Sequence, residues 1–307
     1  NASAIYSLGQ KSRAAIENSR IKIAEILKTK PSEIYFTSSG TESDNWVIKE
    51  SLNPREKHHI ISSRIEHPAI LNSLKAVKSL GSDYSLISVD QEGFVNLDEL
   101  SEKIRDNTKL ISIMFANNEI GTIEPVREIG EIAHKHGILF HTDAVQAMCH
   151  VPINVTEMNI DLLSASAHKF HGPKGTGAFY CRRGIALNSL IDGGAQERGK
   201  RAGTENVAGI VGLGTAIRIA NEEMEETTKR VSAMRDRLID GILEKIPQCR
   251  LNGPRENRLP GNCNISFLGI EGESLLLRLD LAGIAASSGS ACASSSLDPS
   301  HVLLAIG

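Results

Sequence analysis

From Ile34 onward, short apolar runs rich in β-branched residues alternate with stretches whose apolar positions recur at helical spacing. The runs predict strands over 34–36, 59–62, 84–89 and 110–115. The intervening patterns predict helices over 42–52, 69–80, 97–104 and 126–136. Such βαβα alternation is the mark of a mostly parallel sheet covered by helices. Leu110-Ile111-Ser112-Ile113-Met114-Phe115 is apolar without alternation, as a strand buried on both faces should be. Three further strands are expected over 138–141, 160–164 and 177–181.

The pattern then changes. Ile210, Leu213, Ile217 and Ala220, followed by Val231, Met234, Leu238 and Ile242, keep a helical period, with Glu225/Lys229 and Glu226/Arg230 as i,i+4 pairs on the solvent side. A helical stretch of that length suits a bridge between domains. Beyond Pro247 a strand is expected over 264–268, a helix over 274–281, a short strand over 284–287 and a helix from about Asp298. These elements divide the chain into a large domain over 1–224 and a smaller, incomplete one over 225–307.

Composition narrows the partners. Lys+Arg 34 against Asp+Glu 37 gives a net charge of −3 over 307 residues, so no global field grips nucleic acid or an anionic membrane. The five cysteines form an odd set without a C-x-x-C pair, which argues against a disulfide framework and a zinc ribbon and for a reducing, cytoplasmic setting. No apolar run approaches the roughly 20 residues that span a bilayer, so a soluble chain is expected. The first residue is Asn1, no signal peptide is legible, and the native start is expected upstream.

Ligands of parallel α/β sheets bind beyond the carboxyl ends of strands, and four loops there hold unusual polar sets. Thr37-Ser38-Ser39-Gly40-Thr41-Glu42-Ser43 opens a helix and suits either an ordinary N-cap or an anion site. It is not a nucleotide P-loop, because the pair Gly199-Lys200 is followed by Arg201 and no G-x-G-x-x-G occurs. Asn117-Asn118-Glu119-Ile120-Gly121-Thr122 suits a turn or a recognition loop. Asp143, at a strand end, is costly to bury without a cationic partner. Finally, Ser164-Ala165-Ser166-Ala167 delivers His168 and Lys169, a lysine that could serve as an amine nucleophile if shielded from water. An anion cradle, a buried carboxylate and a lysine are together what pyridoxal 5'-phosphate requires.

At this point the chain resembles the cysteine desulfurases of the IscS/NifS type, fold-type I pyridoxal phosphate enzymes of α/β class with a smaller α+β C-terminal domain. The resemblance spans all 307 residues and rests on FTSSGTESDN (36–45), EHPAI (66–70), NNEIGT (117–122), HTDAVQ (141–146), SASAHKFHGPKGTGA (164–178), ERGKRAGTEN (197–206) and SSGSACASSSLDPSHVL (287–303). It implies that Lys169 is the Schiff-base lysine and that Gly40, Thr41, Ser166 and His168 hold the phosphate, with Ala167 along the same stretch. It further implies that Asp143 faces the pyridine nitrogen, Gln146 the ring hydroxyl, and Asn118 that hydroxyl and the substrate carboxylate. His67 is implied to stack on the ring and to act in proton transfer, and Thr204 to reach the phosphate of the partner in a homodimer.

Cys292 is implied to be the sulfur acceptor, and its surroundings of small residues suit an accessible thiol. Cys149, Cys181 and Cys263 lie in or beside strand-like runs and read as structural. The implied reaction takes L-cysteine to L-alanine with a persulfide on Cys292. The sulfur would then pass to an acceptor protein such as an iron–sulfur scaffold or a tRNA-thiolation relay, with neither direct nucleic-acid binding nor a bound metal. The resemblance also implies family segments before Asn1 and after Gly307, the latter with an arginine for the substrate carboxylate. Leu304 stands where the family usually has arginine. A selenocysteine lyase or an aminotransferase is the runner-up, although an aminotransferase needs no loop thiol. A silent, cofactor-binding sulfur-transfer scaffold is the reading from another class.

Overall fold

A computed structural model describes residues 2–50, 56–288 and 299–307. The chain begins with helix α1 (Ser7–Leu27). Strands β1 (Ile34–Thr37), β2 (His59–Ser63), β3 (Asp83–Ile87), β4 (Thr108–Ser112), β5 (Leu139–Asp143), β6 (Leu162–Ser166) and β7 (Gly177–Cys181) form one sheet, in the spatial order β1-β7-β6-β5-β4-β2-β3. Among the described residues, β7 alone runs against its neighbours in that sheet. The other six strands therefore deliver their carboxyl ends to one edge, where Thr37, Ser63, Ser112, Asp143 and Ser166 replace the apolar residues of the strand interiors.

Helices α2 (Gly40–Glu50), α3 (Pro68–Ser79), α4 (Leu97–Glu102) and α5 (Val126–Lys135) follow the strands as the periodicity predicts. Successive strand residues face opposite layers. Ile61, Ile111 and Leu163 join the cluster containing Ile16, Ile23, Ile129 and Leu213, whereas Ile60, Leu110 and Leu162 join the one containing Trp46, Ile70 and Leu74. Both faces are thus dry, which is why these runs carry no polar alternation. The sixth strand lies two residues later than expected because the small residues Ser164, Ala165 and Ser166 still pair with Phe179, Ala178 and Gly177 of β7. The strand so reaches the functional edge.

Beyond β7 come a four-residue helical turn, α6 (Gln196–Gly199), and the long helices α7 (Val207–Glu222) and α8 (Met224–Lys245), which divide at Glu223. Strands β8 (Cys249–Leu251) and β9 (Ile265–Phe267) form a separate antiparallel pair, followed by α9 (Gly272–Leu281) and α10 (His301–Ile306). Two expectations are corrected, and one helix was not foreseen. Residues 284–288 form no strand and are exposed, so the apolar Ile284 lacks the burial that would favour pairing. The last helix begins at His301, after an N-cap at Ser300, and Asp298 lies outside the described residues. Helix α1 carried no clear signal because Ser19 and Arg20 occupy its buried face beside Ile16, Ile23 and Leu27.

Those two polar residues have packing roles. A Cβ on Gly214 of α7 would lie 2.8 Å from the Ser19 Cα, so α1 and α7 approach closely. The Arg20 guanidinium donates to both carboxylate oxygens of Glu197 at 2.8 Å and to the Ile34 carbonyl at 2.7 Å, while Glu197 also accepts the Phe36 N–H at 2.9 Å. This buried fork fixes β1, and with it the loop after Thr37. Removing Glu197 leaves the buried Arg20 with the half-exposed Glu17, 3.2 Å from its Nε, so Glu197→Ala is expected to lower the unfolding free energy by up to about 3 kcal/mol. Urea unfolding measures this, and a loss within experimental error would show that the fork contributes nothing.

Candidate active site

The first turn of α2 lies at the functional edge. Ser39 caps it, its Oγ accepting from the Glu42 N–H at 3.2 Å and its carbonyl from the Ser43 N–H at 3.2 Å. Helical geometry leaves the Gly40 and Thr41 N–H groups without intrahelical carbonyls, at the positive end of the helix. Glycine is required at position 40: a Cβ there would meet Val145 Cγ2 at 2.4 Å and stand 3.7 Å from Ser166 Cβ. That approach brings the α2 start beside the end of β6, where Ser166 Oγ and His168 Nδ1 share a hydrogen bond of 2.9 Å. Ala167 is buried between, accepting the Gly172 N–H at 2.8 Å. A 3-10 turn over Ala167–Phe170 carries His168 and Lys169 outward, and both are exposed, contrary to the expected shielding of the lysine.

Asp143 ends β5 with one oxygen accepting the Val145 N–H at 2.9 Å. Burial raises its pKa, opposed by that bond and by the charges of His67 and Lys169, which favour the carboxylate. The three groups therefore act on one another electrostatically. His67 is the N-cap of α3, and its Nδ1 accepts the Ala69 N–H at 3.1 Å. A ring nitrogen that accepts carries no proton, so the neutral ring holds its hydrogen on Nε2. Burial lowers the His67 pKa; Asp143 opposes the shift, and Lys169 and His301 add to it.

The remaining candidates lie nearby or apart. Gln146 is half-buried in the turn after β5. Of the two amides after β4, Asn117 is fully used, accepting the Glu119 and Ile120 N–H groups and donating to the Ile65 carbonyl at 2.9 Å. Asn118 is half-buried, and only its backbone carbonyl is engaged by Asn262. Gly121, at φ +78°, leaves room where a Cβ would meet Asn262 at 2.8 Å, so residues 252–264 can brace this loop. A cleft of about 410 Å³ contains Thr41 and His67 together. Thr204 is exposed and lines a different cleft, of about 220 Å³, with Thr37, Ser38 and Arg201. Cys292 lies outside the described residues. Cys149 and Cys181 are buried with thiols pushed up to about 12 by burial, though Cys149 sits in a left-handed turn and not in a strand.

Sequence reasoning missed the acids beneath Asp143. Asp44 is buried, and burial together with the Asp143 charge raises its pKa well above the usual range. His141, 3.8 Å away, is driven down to about 3 by burial, so this contact joins neutral groups and is no ion pair. Glu66 is fully buried; Oε1 accepts from Ser63 Oγ at 2.6 Å and the Met114 N–H at 3.0 Å, while Oε2 has no partner. Burial lifts Glu66 to about 8. The signal for Glu66 was its place beside His67 just beyond a strand.

The fold and this edge define an α/β enzyme with the polar groups of its site at the strand termini. The chain belongs to the aminotransferase class-V family, whose model matches residues 1–307. It is 54% identical over 311 residues to Cysteine desulfurase IscS of Clostridium botulinum, covering 100% of this chain and 78% of the relative. Among solved structures, a NifS-like protein is 39% identical with a TM-score of 0.93, covering 100% of this chain and 81% of that one. A structure described as SspA in complex with cysteine is 37% identical with a TM-score of 0.87, covering 100% and 86%. Among the described residues, no helix is long and apolar enough to cross a membrane.

The Glu66 shift has a consequence for stability. The folded chain keeps a proton on Glu66 up to about pH 8, whereas the unfolded chain releases it near the ordinary value of 4.5. Between these limits the folded state binds more protons, so this group's contribution to stability falls as pH rises. Glu66→Gln keeps an acceptor for Ser63 and Met114 and is expected to flatten that decline, as read from urea midpoints between pH 5 and pH 8 on the scale of this shift. An unaltered slope would mean that Glu66 is ionised in the folded protein.

Proposed function

We infer that this chain is a cysteine desulfurase that converts L-cysteine to L-alanine and transfers the sulfur to its own Cys292 as a persulfide. The observation carrying this reading is the electrostatic influence of His67 and Lys169 on Asp143, with His67 sharing a cleft with Thr41 of α2, in a chain whose relatives bear that name. The residues fit pyridoxal 5'-phosphate: the close approach at Gly40 forms a cradle that a Cβ would fill. Gly40, Thr41, Ser166 and His168 would hold the phosphate, with Ala167 lining the same stretch. Asp143 would pair with the protonated pyridine nitrogen, Gln146 and Asn118 would take the ring hydroxyl, and His67 would lie against the ring. When bound, the group supplies the electron sink that makes the α-proton of an attached amino acid removable.

The chain's own groups then divide the work. Lys169 Nζ, as a free amine, accepts the α-proton. Cys292 as thiolate takes the substrate sulfur: a sulfur–sulfur bond forms, the bond from Cβ to sulfur breaks, and its electron pair stays on carbon, where a proton completes alanine. His67 presents Nε2–H to this chemistry. Charging its ring places a proton on Nδ1 and forfeits the cap bond to Ala69, a cost of about 1 kcal/mol. His67 is thereby biased towards donating a hydrogen bond from a neutral ring.

A homodimer suits the position of Thr204, which is exposed and lines a cleft other than the one that holds Thr41 and His67, open to a partner's phosphate. Residues 1–224 form the cofactor domain in this reading, and 225–307 the smaller one carrying Cys292. The free thiols Cys149, Cys181, Cys249 and Cys263 suit a reducing cytoplasm. From Cys292 the sulfur would pass to an acceptor protein, such as an iron–sulfur scaffold or a thiolation relay.

Purified protein given L-cysteine and a reductant is expected to release sulfide and alanine in equal amounts. Cys292→Ala should keep the yellow colour of the bound cofactor and lose sulfide release down to the rate without enzyme. Lys169→Ala should lose the visible band of the lysine-bound cofactor. A yellow Cys292→Ala protein that releases sulfide at the wild-type rate would remove Cys292 from the reaction.

A further inference from the structure

We propose that His301 is a positioning residue for His67, fixing its ring through the Glu66 carbonyl; the proposal rests on the desulfurase reading for its catalytic consequence. His301 Nε2 lies 3.0 Å from the Glu66 carbonyl oxygen. A carbonyl can only accept, so His301 is the donor and Nε2 carries the hydrogen. That oxygen belongs to the planar peptide unit whose nitrogen is His67 N. Holding it sets the orientation of the plane from which the His67 side chain departs.

His67 is thus gripped from two sides. Before its Cα, the peptide plane is held by His301; beyond it, Nδ1 accepts the Ala69 N–H at 3.1 Å. The Glu66 side chain adds a third restraint through Ser63 and Met114, which tie the ends of β2 and β4 together. Few rotations are left to the imidazole, and its Nε2–H has a defined direction.

His301 is itself anchored. Ser300 Oγ donates to the Glu119 carboxylate at 2.5 Å and caps α10 by accepting the Val302 N–H at 3.1 Å. Val302 and Ile306 pack with Ile65, Met114 and Ile120. Helix α10 is therefore seated on the loop that carries His67 and on the loop that carries Asn118. The Glu119 carbonyl, accepting from Asn262 and Asn264, holds the second loop from its other side. An unanchored surface histidine could not set a backbone plane in this way.

The test uses the full chain with ring-15N-labelled histidine, in wild type, His301→Ala and His301→Gln, the last keeping an amide donor for the same carbonyl. The His67 signal is assigned by its loss in His67→Asn. The Nδ1 resonance of His67, which reports its acceptance of the Ala69 N–H, is expected to shift in the cofactor-free His301→Ala protein and to return towards wild type in His301→Gln. In the loaded proteins, kcat for L-cysteine should fall about tenfold in His301→Ala with KM changed by less than about twofold, a loss of orientation without a loss of binding. If truncation unfolds α10, His301→Phe keeps the bulk, removes the donor and should give the same shift. A His67 resonance identical to wild type in folded His301→Ala or His301→Phe overturns the proposal, even if the rate falls. Absence of sulfide release by the wild type would count against the desulfurase reading alone, because the resonance test needs no turnover.

Discussion

One carboxylate must stay charged at a sheet edge that strips it of water. Asp143 ends a strand buried on both faces, and burial alone would neutralise it. The Val145 N–H bond and the nearby Lys169 oppose that shift, and the acids around it yield. Asp44 and Glu66, buried beside it, have their pKa values raised by desolvation and by the Asp143 charge. Like charges in one dry site cannot all ionise, and the groups without a cation take the protons. The neutral His141 beneath them adds hydrogen bonds to Ser112 and Ser164 without adding charge.

The surrounding architecture holds that arrangement in place. Arg20 and Glu197 fix β1, and Gly40 lets α2 start against Val145 and Ser166, so the anion-binding helix end lies beside the strand that delivers Lys169. The loop with Asn118 is braced by Asn262 and Asn264 from one side and by Ser300 from the other. Each of these contacts joins segments far apart in the chain, so the site depends on the whole fold and on no single loop.

That dependence explains what the sequence revealed. The two-faced burial of Ile60/Ile61, Leu110/Ile111 and Leu162/Leu163 prints directly as unbroken apolar runs, and the strand ends mark the loops with Gly40, His67, Asn118, Asp143 and Lys169. Helix α1 was hidden because its buried face includes Arg20, whose partner Glu197 lies far along the chain. Strand β8 has three residues and gains its identity only from pairing with β9. Ile284 has strand chemistry but no burial. The protonation of Asp44 and Glu66 was illegible for a related reason: nothing local distinguishes a carboxyl that folding will leave without a cation.

The division of protons among these carboxyls is the claim on which the account turns, and infrared difference spectroscopy at pH 6 reads it directly. The protein should show stretches of protonated carboxyl groups that disappear in Asp44→Asn and in Glu66→Gln and are retained in Asp143→Asn. A protonated-carboxyl band lost on replacing Asp143, with those of Asp44 and Glu66 absent from the wild type, would contradict it.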